Sequence, residues 1–167
     1  GKTWEHVGLS DSHHVSRIVI NSENPEEVVV GVIGHLYTPN KERGVFKTID
    51  GGKTWKKTLF INNDTGIIDV VAAPENSNVL YAASWERERK AWNFDGDGNN
   101  SAIYKSTDGG DTWKNISSNN GFRNGAGVGR IGLSIYDENT VYALHDSQFR
   151  RASKEKKKQA SNGLTKE

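Results

Sequence analysis

Short apolar runs recur along the chain, each pair separated by polar turn residues. Arg17-Ile18-Val19-Ile20 is followed by Asn24-Pro25 and then Val28-Val29-Val30-Gly31-Val32. Asp69-Val70-Val71-Ala72 is followed by a turn from Pro74 to Asn78 and then Val79-Leu80-Tyr81-Ala82-Ala83. Arg130-Ile131-Gly132-Leu133 is followed by Asp137-Glu138-Asn139 and then Val141-Tyr142-Ala143-Leu144. The runs are too short for helices and rich in β-branched and aromatic side chains, so they predict strands. In the first unit strands are expected near 17–21, 28–34, 44–48 and 54–59. In the second they are expected near 67–72, 79–84, 102–106 and 112–116. Residues 129–145 supply two more, and residues 3–7 read as one outermost strand. The pattern predicts about ten strands and no substantial helix.

The third and fourth strands of each unit flank a repeated phrase. Phe46-Lys47-Thr48-Ile49-Asp50-Gly51-Gly52-Lys53-Thr54-Trp55-Lys56 matches Tyr104-Lys105-Ser106-Thr107-Asp108-Gly109-Gly110-Asp111-Thr112-Trp113-Lys114, and Gly1-Lys2-Thr3-Trp4 equals the end of that unit. Trp4, Trp55 and Trp113 stand 51 and 58 residues apart, a blade-sized period with one insertion. The residue types suit a hairpin clasp. An Asp carboxylate accepts backbone N–H groups in a tight turn, Gly permits positive φ, Ser or Thr bonds locally, and Trp adds apolar contact. Asp50, Gly52, Trp55, Asp108, Gly110 and Trp113 are therefore read as structural. A catalytic reading of Asp50 and Asp108 is disfavoured, because a clasp recurs in every unit and a catalytic centre occurs once.

Four strands per unit at this period predict an all-β chain, a fragment of a β-propeller with about two and a half four-stranded antiparallel blades. Residues 1–15 form the outer strand and linker of a preceding incomplete blade. Residues 16–62 and 63–120 form two blades, 121–149 the first two strands of a further one, and 150–167 a basic tail or truncated loop. Such a fragment leaves strand edges open, and open edges template association. The expected partner is the remainder of the same propeller.

The phrase S/T-x-D-x-G-x-T-W resembles the Asp-box, or bacterial neuraminidase repeat, of sialidases, xyloglucan-active endoglucanases, sortilin-type receptors and a photosystem II assembly factor. Glu42-Arg43-Gly44-Val45-Phe46-Lys47, Asn63-Asp64-Thr65-Gly66-Ile67-Ile68-Asp69, Tyr81-Ala82-Ala83-Ser84-Trp85 and Gly129-Arg130-Ile131-Gly132 resemble large bacterial repeat proteins described as glycosyl-hydrolase-like or sortilin-like. The resemblance covers about residues 1–149. It implies a repeat scaffold or binding module for a glycan or protein, from a larger, exported protein. The alternative it implies is part of a glycoside hydrolase completed by other blades. Sialidases carry three substrate-binding arginines and a Phe/Tyr-Arg-Ile-Pro motif, and the motif is missing here, which speaks against sialidase activity.

Composition narrows this further. Hydrophobic residues make up 34%, there are 18 Gly, and cysteine is absent, which excludes disulfides and thiolate metal sites. The net charge of +1 hides a basic segment. Residues 150–167 hold seven Lys/Arg and two Glu, leaving 15 basic and 19 acidic residues elsewhere. With no basic body and no aromatic in the run, a nucleic-acid partner is not expected. No apolar stretch is long enough to insert in a membrane.

Three places carry candidate chemistry. Aligning the repeats sets Arg17, Asp69 and Arg130 at one equivalent inner-strand position, so Asp69 is expected between two arginines at the propeller axis. A carboxylate so flanked favours its ionised form, which suits an ion-pair ring or an anion site rather than a general acid. Glycoside hydrolysis needs two carboxyl groups. Of Asp11, Asp64, Asp69, Asp95, Asp97 and Asp146, only Asp69 is placed at the axis. The insertion Trp85-Glu86-Arg87-Glu88-Arg89-Lys90-Ala91-Trp92-Asn93-Phe94 is the second place: Trp85, Arg87, Arg89 and Trp92 form a possible ligand loop, or else a cluster that pins the loop. The third, Asp95-Gly96-Asp97-Gly98-Asn99-Asn100, resembles a calcium loop but lacks its sixth-place Gly and twelfth-place Glu, and reads as a polar turn. His13 and His14 alternate in direction on a strand, and His35 and His145 are not read as ligands. No metal and no cofactor are expected.

Overall fold

Short β-branched apolar runs place nearly all regular structure among the described residues in strands. The computed structural model describes residues 1–119 and 121–149; the basic segment 150–167 lies outside the described residues. The first sheet is antiparallel and meandering, with β1 (Val15–Ile20), β2 (Val28–Val32), β3 (Gly44–Thr48) and β4 (Lys56–Leu59) in that order. The second is built from β5 (Thr65–Ala73), β6 (Asn76–Glu86), β9 (Ile103–Ser106) and β10 (Lys114–Asn115), again in chain order. Between β6 and β9 lies a two-stranded ribbon, β7 (Glu88–Arg89) with β8 (Phe94–Asp95). β11 (Val128–Ile135) and β12 (Val141–Ser147) form a separate antiparallel pair. One 3-10 turn, Ser117–Asn119, is the sole helical element among the described residues.

The strand alternation sorts side chains between two inter-sheet layers. Val29 and Val45 of the first sheet meet Ile67, Val70, Leu80 and Ala82 of the second. The opposite face of the second sheet packs Ile68, Val79, Tyr81, Ala83 and Ile103 against Val128 and Ile131 of β11. The other face of the first sheet carries Val30, Val32 and Phe46, with Leu9, Val28 and Trp55 packed against them. Ile18, at 64% exposure, Ile20 and Val15 remain open there.

Two details depart from the sequence reading. Residues 3–7 form no strand, because among the described residues no strand lies beside them to complete a ladder. They are tethered instead by a side chain, with Trp55 Nε1–H donating to the Val7 carbonyl at 2.7 Å. The insertion after β6 is not a plain loop, since Glu88 pairs with Asp95 and Arg89 with Phe94.

The pairings divide the loops between two ends. β1, β5 and β11 begin where β2, β6 and β12 end: Val15 faces Val32, Thr65 faces Glu86 and Val128 faces Ser147. The segment 9–14, the loop 33–43 and the β7–β8 ribbon all lie at this end. The two hairpins carrying Asp50 and Asp108 lie at the other. There Gly51 N–H reaches Glu26 O and Gly109 N–H reaches Asn78 O, each near the start of a second strand.

Candidate functional site

β1, β5 and β11 converge on an open cleft of about 740 Å³. Each of these strands has a register shift just ahead of its core, at Val15/Arg17, Ile67/Asp69 and Val128/Ile131. Such bulges re-aim side chains at a strand end. Arg17, Asp69 and Arg130 all line the cleft, with Tyr142, His145 and Asp146. Asp69 is buried. Its Oδ1 accepts from Arg17 Nε at 2.7 Å and its Oδ2 from the Leu133 N–H at 2.9 Å. The three residues meet as the repeat alignment places them, but the ion pairing is one-sided. Asp69 pairs with Arg17 alone, because its second oxygen is taken by the β11 backbone. Arg130 is exposed, and its guanidinium has no ion-pair partner among the described residues.

The two repeated hairpins are built alike. Asp50 Oδ1 accepts from the Thr48 hydroxyl at 2.7 Å and the Thr54 N–H at 2.9 Å, while Thr54 Oγ1 donates to Oδ2 at 2.6 Å. Asp108 accepts from the Ser106 hydroxyl at 2.7 Å, the Thr112 N–H at 2.9 Å and the Asp111 N–H at 3.0 Å. Gly51 and Gly52 have φ of 69° and 89°, and Gly109 and Gly110 have 69° and 87°, a conformation glycine adopts without strain. Trp55 and Trp113 lie partly buried against the sheets. Both carboxylates are saturated by their own turns and sit at the end away from the cleft.

These bonds predict a pH dependence. Hydrogen bonds from the Thr54 hydroxyl and N–H, then from the Thr48 hydroxyl, hold Asp50 at about 2 against the usual 3.8. At Asp108 burial works to raise the value, but donors from Thr112, Ser106 and Asp111 outweigh it and hold it at about 2. Groups with depressed folded values contribute fully above the unfolded value and lose that contribution as pH falls through the folded one. The box contribution should therefore be intact above about pH 4 and disappear towards pH 2. Urea midpoints across that range should fall steeply for the parent chain and more gently for Asp50→Asn/Asp108→Asn. Parallel curves would show that the carboxylates do not act in this way.

The ribbon insertion is held by its own side chains. Trp85 donates Nε1–H to Gly96 O at 2.8 Å and meets Phe94 edge-on at 6.2 Å. Arg87 lies over Trp85 and donates to Leu36 O at 3.2 Å, and Arg89 lies over Phe94. Trp92, at the ribbon tip, is 84% exposed. The Asp95–Asn100 turn uses its polar groups internally or across to the next strand pair. Asp97 accepts from the Gly127 N–H at 2.6 Å and Asp95 from Asn93 Nδ2 at 3.1 Å.

Sequence reasoning missed a second cluster at the same end. Among the described residues, one group of three or more His, Asp or Glu side chains places its ligand atoms all within 4.8 Å of one another: Asp11, His13 and His35. His35 Nε2 lies 2.9 Å from Asp11 Oδ1, and the rings of His13 and His35 stack at 3.8 Å. The hydrogen bond from His35, then that from Asn40, lowers the Asp11 pKa from its usual value. The scaffold behind the cluster is Arg43, 3% exposed. Its guanidinium donates to Asn40 Oδ1 and to the carbonyls of Asp64, His35 and Thr38 at 2.9–3.1 Å. Gly34, at φ 85°, passes so close that an added Cβ would stand 2.3 Å from Asn40 Oδ1. The Glu42-Arg43-Gly44 phrase was visible in the sequence, but nothing local indicated that Arg43 turns inward.

No helix among the described residues is long and apolar enough to cross a membrane. No family model matches the chain, and no curated protein does. Among solved structures, an ancestral GH74 enzyme matches 86% of this chain with a TM-score of 0.56 and 21% identity, over 18% of the enzyme's own length. A GH74 enzyme of Niastella koreensis matches 81% of the chain with a TM-score of 0.46 and 17% identity, over 20% of its length. The first likeness is one of fold. The chain spans less than a quarter of either enzyme.

Proposed function

We propose that this chain is part of a β-propeller of an exported protein, about two and a half blades of it, and that the cleft at its converging inner strands binds an acidic glycan. The carrying observation is the inequality of the two arginines. Arg17 is neutralised by Asp69, whereas Arg130 is exposed in the same cleft beside Tyr142 and His145. A guanidinium presents a planar fork that fits a carboxylate or sulfate, and an aromatic ring beside it offers a face to a sugar. The exposed apolar face of Val15, Ile18 and Ile20 supports the propeller reading, because a neighbouring blade would cover it. The repeated clasps support a scaffold that sets loops at one end.

A second reading is part of a glycoside hydrolase, favoured by Asp146 lying in the same cleft as Asp69. Against it, Asp69 is already engaged by Arg17 and by the Leu133 N–H. One experiment addresses both. Acidic and neutral oligosaccharides are titrated into the chain and into a longer protein carrying the complete propeller. The binding reading expects acidic sugars to bind, with Arg130→Ala weakening them at least tenfold and the sugars recovered intact. Equal binding by Arg130→Ala would refute it. Cleavage that depends on Asp146 would establish the second reading.

A further inference from the structure

We propose that Asp11, His13 and His35 form a binding site for a divalent transition-metal cation of the zinc class, clamping the segment 9–14 to the loop 33–43. The proposal is independent of the cleft and of any glycan.

The donor set is two imidazoles and one carboxylate, and the exposure of Asp11 and His13 leaves a fourth position to solvent. That combination suits zinc and its borderline neighbours and is poorly suited to calcium or magnesium, which prefer oxygen. Metal–ligand bonds of about 2.0–2.1 Å at tetrahedral angles put ligand atoms roughly 3.3 Å apart. His35 Nε2 and Asp11 Oδ1 already stand 2.9 Å apart, and all three ligand atoms lie within 4.8 Å of one another. Closing the set onto one cation needs only side-chain rotation. Asp11 and His13 are exposed and His35 is half-buried, so no core residue has to move.

The surroundings preorganise the ligands. Metal-binding histidines characteristically donate their second ring N–H to a fixed acceptor. His35 Nδ1 lies 2.9 Å from Thr38 Oγ1, which leaves Nε2 for the cation once Nδ1 carries the proton. Asn40, itself buried, joins the two halves of the site. Its Oδ1 accepts from the His35 N–H at 3.1 Å, and its Nδ2 donates to the Asp11 carbonyl at 2.8 Å. Glu42 accepts from the Asp11 N–H at 2.8 Å. His13 adopts φ of 53°, an uncommon conformation for a residue with a side chain; its ring stacks on His35, and it must rotate out of that stack to turn a nitrogen to the cation. The cation would take the place of the proton between His35 Nε2 and Asp11 Oδ1. Ligands from two segments more than twenty residues apart would then close a loop across the rim, and binding to the folded chain alone would stabilise it by mass action.

The test is a calorimetric titration of the chain with Zn²⁺, repeated with Co²⁺ while the visible d–d bands are recorded. One saturable equivalent is expected, with Co²⁺ bands of a four-coordinate N/O site and a rise in melting temperature on Zn²⁺ addition. His35→Gln and Asp11→Asn should each weaken binding at least tenfold, and Thr38→Val about tenfold. His6→Gln and His145→Gln should bind as the parent does. Asp11→Asn changes an exposed side chain and keeps the result readable if His35→Gln folds poorly. No saturable Zn²⁺ binding, or binding undiminished in both Asp11→Asn and His35→Gln, would overturn the proposal. So would equal binding of Ca²⁺.

Discussion

Arg43→Ala should destabilise the chain by about 3 kcal/mol or more, because it leaves buried acceptors without a donor. Arg43 bonds to Asn40 Oδ1 and to the carbonyls of His35, Thr38 and Asp64. Burial, and then the nearby Arg87, lower its pKa from the usual value, yet a guanidinium stays charged. Its role is to satisfy one end of the molecule. The loop 33–43 has no ladder of its own, and the carbonyls of His35 and Thr38 depend on this one side chain. Arg43→Lys should recover less than half of the loss, since a single ammonium cannot span the same acceptors. Urea denaturation at neutral pH measures both. A loss below about 1 kcal/mol for Arg43→Ala would mean that water replaces the guanidinium and that the loop is not organised by it.

Ile67→Ala should cost about 2–5 kcal/mol, the range for truncating a fully buried aliphatic side chain. Ile67 is 0% exposed and sits between the first and second sheets with Val29, Val45 and Leu80. Gly31 lies against it so closely that an added Cβ would stand 2.9 Å from Ile67 Cγ2, and a layer this tight closes poorly over a cavity. Ile18→Ala makes the same chemical change on the open face of the first sheet. It should alter stability by no more than about 0.5 kcal/mol in this chain. In a longer protein whose next blade covers that face, Ile18→Ala should become costly too. If it stays neutral there, the face is not a blade interface.

Much of the architecture was legible in the sequence. The strands follow from short β-branched apolar runs and turn punctuation, both properties of neighbouring residues. β3 (Gly44–Thr48) was read to the residue, because an apolar run ends there on a box whose turn chemistry is local. The clasp chemistry of Asp50 and Asp108 was legible for the same reason, since every partner lies within four residues. Residues 3–7 show where local reading stops. A strand is a pairing, and a matching phrase supplies no neighbour to pair with. The β7–β8 ribbon was missed because its strands are two residues each, below any periodicity.

What the tertiary structure decided were the long-range choices. The repeat alignment set Arg17, Asp69 and Arg130 at one level, but which arginine Asp69 takes depends on bulges and on the Leu133 N–H from β11. Nothing local in the sequence marks Arg43 as buried, and only the closure of a loop around it makes it a buried hub. Asp11 and His35 are separated by twenty-four residues and carry no spacing that marks a metal site. Antiparallel pairing of β1 with β2 brings their flanking segments to one end, and Asn40 and Gly34 draw those segments close enough for the side chains to meet. Local periodicity determined the strands and clasps because its physics acts between near neighbours. The candidate sites arose where sheets and loops converge, which no local pattern specifies.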